Sequence, residues 1–216
     1  MNKKVNSIII VCITCFCFKS IGQKSVKPDI TNIKNLTVVN REVAISKEAG
    51  KVIVHLNSMA GDGIAWINNI NFEKGAIEFD VKGKNILQQS FVGIAFHGAD
   101  DRTFDAVYFR PFNFQSPDQV RKSHSVQYVS MPQFDWSLLR ENYPGKYENI
   151  LVSSVDPVSW FHAKVVIEAD KIAVYVNNDA KPSLVVSPLA KRATGKIGFW
   201  VGNNSDGDFA NLSITQ

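Results

Sequence analysis

Ten short stretches of this chain alternate apolar and polar residues with a period of two. In GAIEFDVK, Ile77, Phe79 and Val81 fall on one side and Glu78, Asp80 and Lys82 on the other. A strand turns successive side chains to opposite faces, so such a stretch reads as a strand with one buried face. FVGIAFH sets Val92, Ile94 and Phe96 against Gly93, Ala95 and His97. FDAVYFR sets Val107 and Phe109 against Ala106, Tyr108 and Arg110. KVIVHLN, HSVQYVS, FHAKVVIEA, KIAVYVN, SLVVS, KIGFWVG and FANLSIT extend the pattern. Turn-forming breaks separate them, among them Gly61-Asp62-Gly63, Gly83-Lys84-Asn85, Asn177-Asn178-Asp179 and Asp206-Gly207. Only Asp135–Asn142, with Leu138 and Leu139 as its apolar side, predicts a helix. Many short strands and almost no helix predict an all-β sandwich or barrel. No repeat with a period of about 20–50 residues stands out, which disfavours a propeller or solenoid.

The chain starts MNKKVNSIIIVCITCFCFKSIGQ. Lys3 and Lys4 precede an apolar run from Ile8 to Phe18, and the small residues Ser20 and Gly22 suit cleavage before Gln23. Residues 1–22 therefore read as a secretory signal peptide, too short in its apolar part for a transmembrane helix. Export to the periplasm, the cell surface or the medium follows as an expectation, with no membrane span in the mature chain. Cys12, Cys15 and Cys17, all three cysteines, lie in this leader. The mature chain then has no disulfide, no thiol nucleophile and no cysteine-ligated metal. Its fold must be held by its core. Residues 23–35 are polar and read as a linker, and 36–216 as one domain. Taking Lys3, Lys4 and Lys19 from 24 basic residues leaves 21 against 20 acidic ones. Such balance argues against a nucleic-acid binder working by phosphate neutralisation.

Several strings resemble the concanavalin A-like lectin/glucanase superfamily. These are "GDGIAWINNINFEKGAIEFDVK", "WFHAKVVIEADKIAVYVNN", and "GKIGFWVG" followed by "GDFANLSIT". "FVGIAFHG" and "HSVQYVS" look most like the 3-keto-disaccharide hydrolase-type domain of exported bacterial proteins. The resemblance covers about residues 36–216. It implies a two-sheet antiparallel jelly roll with one short helix in a long loop, and a concave sheet around a carbohydrate-sized groove. It implies carbohydrate as the partner. Fold alone does not give the reaction.

The retaining glucanases of this superfamily carry an E-x-D-x-E or E-x-D-x-x-E strand. Here Glu78 and Asp80 fill two positions, but the third holds Lys82 or Gly83. Without the last glutamate, a two-carboxylate displacement lacks a member. The plainer reading makes Glu78, Asp80 and Lys82 the solvated face of a strand. His55 and His162 read as ordinary strand-face residues.

A second set follows from alternation. His97, Tyr108, Arg110 and Gln127 all lie on the side opposite the apolar residues of their strands. If those strands are neighbours, the four converge on one face. Gly93 and Ala95 leave room there for a sugar to approach. His97 is the candidate proton-transfer residue, and Tyr108, Arg110 and Gln127 the candidate substrate-binding residues. The plainer reading is a structural network with Arg110 paired to Asp105 or Asp101. The irregular segment Ser130–Pro157 adds Trp136 and Arg140 as a platform beside Phe134, Tyr143 and Tyr147.

No cofactor and no site metal are expected. His97, Asp100, Asp101 and His124 match no metal signature. A structural calcium at Asp62 or at Asp206 and Asp208 has oxygen ligands to draw on, but the Asp206 loop lacks the glutamate-terminated twelve-residue pattern. No G-x-S-x-G elbow or phosphate-binding glycine loop occurs. Three readings stand: a carbohydrate-recognising protein, a glycoside-cleaving enzyme acting on 3-keto-disaccharides with His97 as base, and a non-catalytic envelope interaction domain.

Overall fold

A computed structural model describes residues 24–48 and 50–216. The expected signal peptide and its cysteines lie outside the described residues. The strands, in chain order, begin with β1 (Ser25–Val26), β2 (Leu36–Val39), β3 (Val43–Glu48), β4 (Lys51–Leu56) and β5 (Gly63–Ile67). Next come β6 (Gly75–Lys82), β7 (Val92–Gly98), β8 (Asp105–Phe109), β9 (Val126–Ser130) and β10 (Glu148–Asn149). The rest are β11 (Phe161–Ile167), β12 (Ile172–Val176), β13 (Leu184–Val186), β14 (Lys196–Val201) and β15 (Gly207–Thr215). Two short helices, α1 (Gln119–Lys122) and α2 (Trp136–Asn142), interrupt them.

All strand pairs are antiparallel, in two sheets. One runs β13-β12-β11-β6-β15-β4-β3, with β1 joined to the end of β15; the other runs β10-β9-β8-β7-β14-β5-β2. This is the expected two-sheet antiparallel sandwich. Alternation does what the sequence demands of it. Ile77, Phe79 and Val81 are fully buried, while Glu78, Asp80 and Lys82 between them stay half-exposed. Between the sheets, Phe199 stacks on Phe209 at 4.7 Å, and Phe161 meets Phe109 and Phe114 edge to face at 5.0 and 5.3 Å. Each such ring contributes about 1.5–3 kcal/mol by leaving water. This core holds a domain that has no disulfide among its described residues.

Helix α2 forms where its sequence says. Asp135 accepts from the Leu138 amide as N-cap, Leu139 is buried, and the chain turns away at Tyr143. Helix α1 was not expected from periodicity. It is one turn long, capped by Asp118, with none of its residues buried. The segment 24–35, expected as a linker, is instead tied to the domain. Ser25 and Val26 pair with Thr215 and Ile214, and Ile30 is buried in the core.

The edges of the two sheets are laced together by the segment around β10. Asn149 Nδ2 donates to the Ser183 carbonyl at 2.8 Å, and the Val152 amide donates to Ser183 Oγ at 3.0 Å. Among the described residues no helix is long and apolar enough to cross a membrane.

Candidate functional site

Pairing register decides which side chains meet on the outer face of the seven-stranded sheet. Glu148 stands opposite Gln127, Gln127 opposite Tyr108, Tyr108 opposite Gly93, and Gly93 opposite Trp200. These residues form one row across β10, β9, β8, β7 and β14. Tyr108 donates to Gln127 Oε1 at 2.9 Å. Arg110 reaches back from the end of β8. Its Nη2 donates to the Tyr108 hydroxyl at 2.8 Å and to Gln127 Oε1, and its Nη1 to the His124 carbonyl at 2.8 Å. Three of the four residues expected to converge, Tyr108, Arg110 and Gln127, do so.

Glu148 is the hub. Arg140 on α2 grips it with a fork, Nε to Oε1 at 3.1 Å and Nη2 to Oε2 at 2.8 Å. Arg110 Nη1 lies 3.6 Å from the same Oε2. His124 Nδ1 lies 2.8 Å from it, off the direction of a hydrogen bond. Glu148 and Arg110 are both about 95% buried. Trp136 is the opposite: it is 52% exposed, and its ring lies 5.3 Å from the Arg140 guanidinium. The site is therefore a buried polar row with an exposed aromatic rim.

Electrostatics follow from that burial. Removal from water pushes the Tyr108 hydroxyl up to about 12, so it serves as a neutral donor and acceptor. Burial also lowers His124, with Arg140 and Arg110 adding to the effect against the pull of Glu148. Hydrogen bonding to Glu148 raises Arg140. Two donors in the row are enclosed and lack any acceptor among the described residues: Gln127 Nε2 and Trp200 Nε1. Buried donors in a native fold are nearly always satisfied, so the pair calls for an explanation.

His97 does not join this face. It has φ +51°, and between Lys196 and Gly198 the β14–β7 register shifts. A bulge inserts an extra residue and reverses the alternation beyond it. The imidazole turns into the sandwich, 5.9 Å from the Phe72 ring, with Nε2 at 2.7 Å from the Glu73 carbonyl oxygen and Nδ1 at 3.5 Å from Asp105 Oδ2. Asp105 also accepts from Tyr128 at 2.8 Å and from Arg192 at 3.0 Å. Burial raises that carboxyl, but bonds from His97 and Arg192 outweigh it and hold it below the usual carboxylate range. The expected structural partner of Arg110, Asp105 or Asp101, is likewise replaced. Asp105 serves Arg192, and Asp101 accepts from the Trp66 indole.

The small residues of this face make room for the protein itself. A methyl group placed on Gly98 would lie 2.5 Å from the Trp66 ring, and one on Gly93 would strike the backbone of β8. A shallow cavity of about 260 Å³ opens at the far edge, between Trp66, Asn68, Asn71 and Lys196. It touches none of the Glu148 cluster, and Trp66 within it is buried.

On the other sheet, Glu78 and Asp80 are tied to basic neighbours. Asp80 accepts from Lys51 at 2.9 Å and Asn211 at 2.8 Å and meets His162 Nδ1 at 3.0 Å. Glu78 lies 3.4 Å from His162 Nε2 and 3.6 Å from Lys164. The carboxylates weighed as calcium ligands face cations too: Asp206 pairs with Lys84, Asp208 with His55 and Lys82, and Asp62 feels Arg41. Among the described residues no group of three or more His, Cys, Asp or Glu side chains is placed to hold a metal.

Glu148 and His124 are the residues that sequence reasoning missed as a pair. Glu148 lies on a two-residue strand, too short to show alternation, and only the β10–β9 register reveals its place.

No family model matches the chain. No curated protein matches it either. Among solved structures, it is similar to the carbohydrate binding module CBM66 from Bacillus subtilis, with a TM-score of 0.58 and 14% identity over 82% of this chain and 93% of that one. It is similar to the Bacillus licheniformis beta-glucanase, with a TM-score of 0.54 and 14% identity over 92% and 99% of the two chains. The VIP36 exoplasmic/lumenal domain, in its Ca2+/Man3GlcNAc-bound form, gives a TM-score of 0.54 and 9% identity over 90% of each. At such identities the likeness is one of fold, a two-sheet antiparallel jelly roll.

Proposed function

We propose that this protein is an exported carbohydrate-recognising jelly roll that holds glycan at the rim formed by Trp136 and Arg140. The observation that carries this reading is an exposed indole beside a guanidinium locked by a buried carboxylate. Sugars present C–H faces that stack on aromatic rings and hydroxyls that pair with fixed planar polar groups. Arg140 is fixed by its fork to Glu148, and Glu148 by Arg110, which in turn is fixed by Tyr108 and Gln127. Such support is what keeps a binding side chain in one geometry. The names of the similar structures, a carbohydrate binding module, a glucanase and a domain bound to Man3GlcNAc, support the same class of partner.

The test is a broad glycan array with residues 23–216, followed by Trp136→Ala. Loss of an exposed stacking ring is expected to weaken glycan binding by about tenfold or more while the melting temperature barely moves. Absence of any glycan signal at millimolar ligand would count against the reading.

A second reading is cleavage of 3-keto-disaccharides, drawn from the resemblance of FVGIAFHG and HSVQYVS. His124 favours it as the imidazole that borders the cluster. It is held off protonation by burial and stands beside Glu148. Product release from a keto-disaccharide that His124→Gln abolishes and His97→Gln spares supports this version; the reverse result returns the base to His97. Export rests on the leader, and fractionation of the native cell tests it.

A further inference from the structure

We infer that the glycan recognised at this rim is acidic, and that a sugar carboxylate supplies a second counter-charge where Arg140 and Arg110 share Glu148. This inference rests on the carbohydrate reading above and narrows it to one class of sugar. One carboxylate, Glu148, faces two guanidiniums and an imidazole: Arg140 donates to it, while Arg110 Nη1 and His124 Nδ1 lie 3.6 and 2.8 Å from its Oε2. Gln127 Oε1 already takes the hydroxyl of Tyr108 and Nη2 of Arg110. Arg140 spends Nε and Nη2 on Glu148, and no bond from its Nη1 occurs within the described residues.

Neighbouring acids do not fill the deficit. Asp135 and Asp118 accept from the first amides of α2 and α1 as N-caps. Glu141 is exposed on α2 and bonded to none of these groups. Lys146 adds a further cation, 5.6 Å from the ring of Tyr143. The part of the cluster that reaches solvent is Arg140, the open side of His124 and the Trp136 ring. A ligand bringing a planar carboxylate here meets a guanidinium built for planar, two-point recognition, next to a ring on which the pyranose can lie. A neutral sugar meets the ring but brings no counter-charge to Arg140.

The experiment uses residues 23–216 and titration calorimetry. Probes are oligomers of galacturonate, guluronate and mannuronate and a glucuronate-containing set. Each is paired with its carboxyl-reduced counterpart, and sulfated neutral oligosaccharides are included. The expected result is at least one acidic oligomer bound about tenfold tighter than its reduced form, as one charge-assisted fork is worth. That preference shrinks when salt rises from about 0.05 to about 0.5 M. Arg140→Lys keeps the charge but loses the fork, and is expected to cut the preference below about threefold. Its fold is checked by thermal melting, since Glu148 retains Arg110 and His124. Equal binding of acidic and reduced forms overturns the inference and leaves carbohydrate recognition standing. A preference for sulfated sugars alone overturns the carboxylate. Silence from every probe, neutral and acidic, removes both readings together.

Discussion

The outer faces of the two sheets carry the same kinds of side chain and use them differently. On the eight-stranded sheet, acids and bases alternate along the rows. His55 faces Asp208 at 2.7 Å, Asp208 faces Lys82 at 3.2 Å, and Asp80 stands between Lys51 and His162. Each charge of that network has a partner, and water reaches it. On the seven-stranded sheet, one buried carboxylate serves three basic groups. The first face is complete by itself. The second shares one carboxylate among several basic groups, and that contrast in charge pairing, rather than residue type, sets the two faces apart.

Breaking the hub separates the faces most strongly. Glu148→Gln leaves Arg110 buried without a counter-charge and is expected to cost about 3–5 kcal/mol in urea unfolding. A loss below about 1 kcal/mol would mean that Arg110 finds another acceptor, and the hub description would fail. The matching change on the other sheet, Asp80→Asn, is expected to cost only about 1–2 kcal/mol, because Lys51 and His162 turn to water.

The two histidines sharpen the comparison through pH, with opposite signs. His162 is raised above 6.5, chiefly by its bond to Asp80. Its contribution is full below the unfolded value of 6.5 and disappears as pH rises through the folded value. His124 is lowered below 6.5, chiefly by burial. Below 6.5 the unfolded chain takes that proton more readily, so stability falls as pH drops toward the folded value. Urea midpoints followed from acid to mildly alkaline pH are expected to lose the alkaline decline in His162→Gln and part of the acid decline in His124→Gln. Asp80 adds a term at lower pH. Burial raises it, but bonds from His162, Lys51 and Asn211 prevail and depress it strongly. Its contribution is present above 3.8 and is lost as pH falls through the depressed value. Identical pH profiles for both histidine variants would dissolve the distinction between the faces.

Most of the fold was legible because burial in a sandwich repeats every second residue. GAIEFDVK needs no tertiary knowledge to show its two faces. Helix α2 was legible because Asp135 caps it and Leu139 turns inward. One-turn α1 was not, since it buries nothing. Tyr108, Arg110 and Gln127 could be grouped because alternation holds along β8 and β9. His97 was assigned to their face because nothing in FVGIAFHG announces the left-handed residue that ends the alternation. Glu148 was invisible for a different reason: its place depends on which strand accepts it as an edge, and that is decided by pairing between distant segments.

Strand β10 is also the weakest tie in the site. It is only two residues long, and its second residue, Asn149, ties the seven-stranded sheet to Ser183 beside the edge strand of the other. Short edge elements of this kind open locally, long before the domain unfolds. Each opening would withdraw Glu148 from Arg110 and Arg140 at once, so the rim loses its geometry whenever the lace is undone. A bound ligand gripping Arg140 would hold the lace shut. Slowed amide exchange through residues 148–152 on ligand addition, with the Phe199–Phe209 layer unchanged, is the signature to look for.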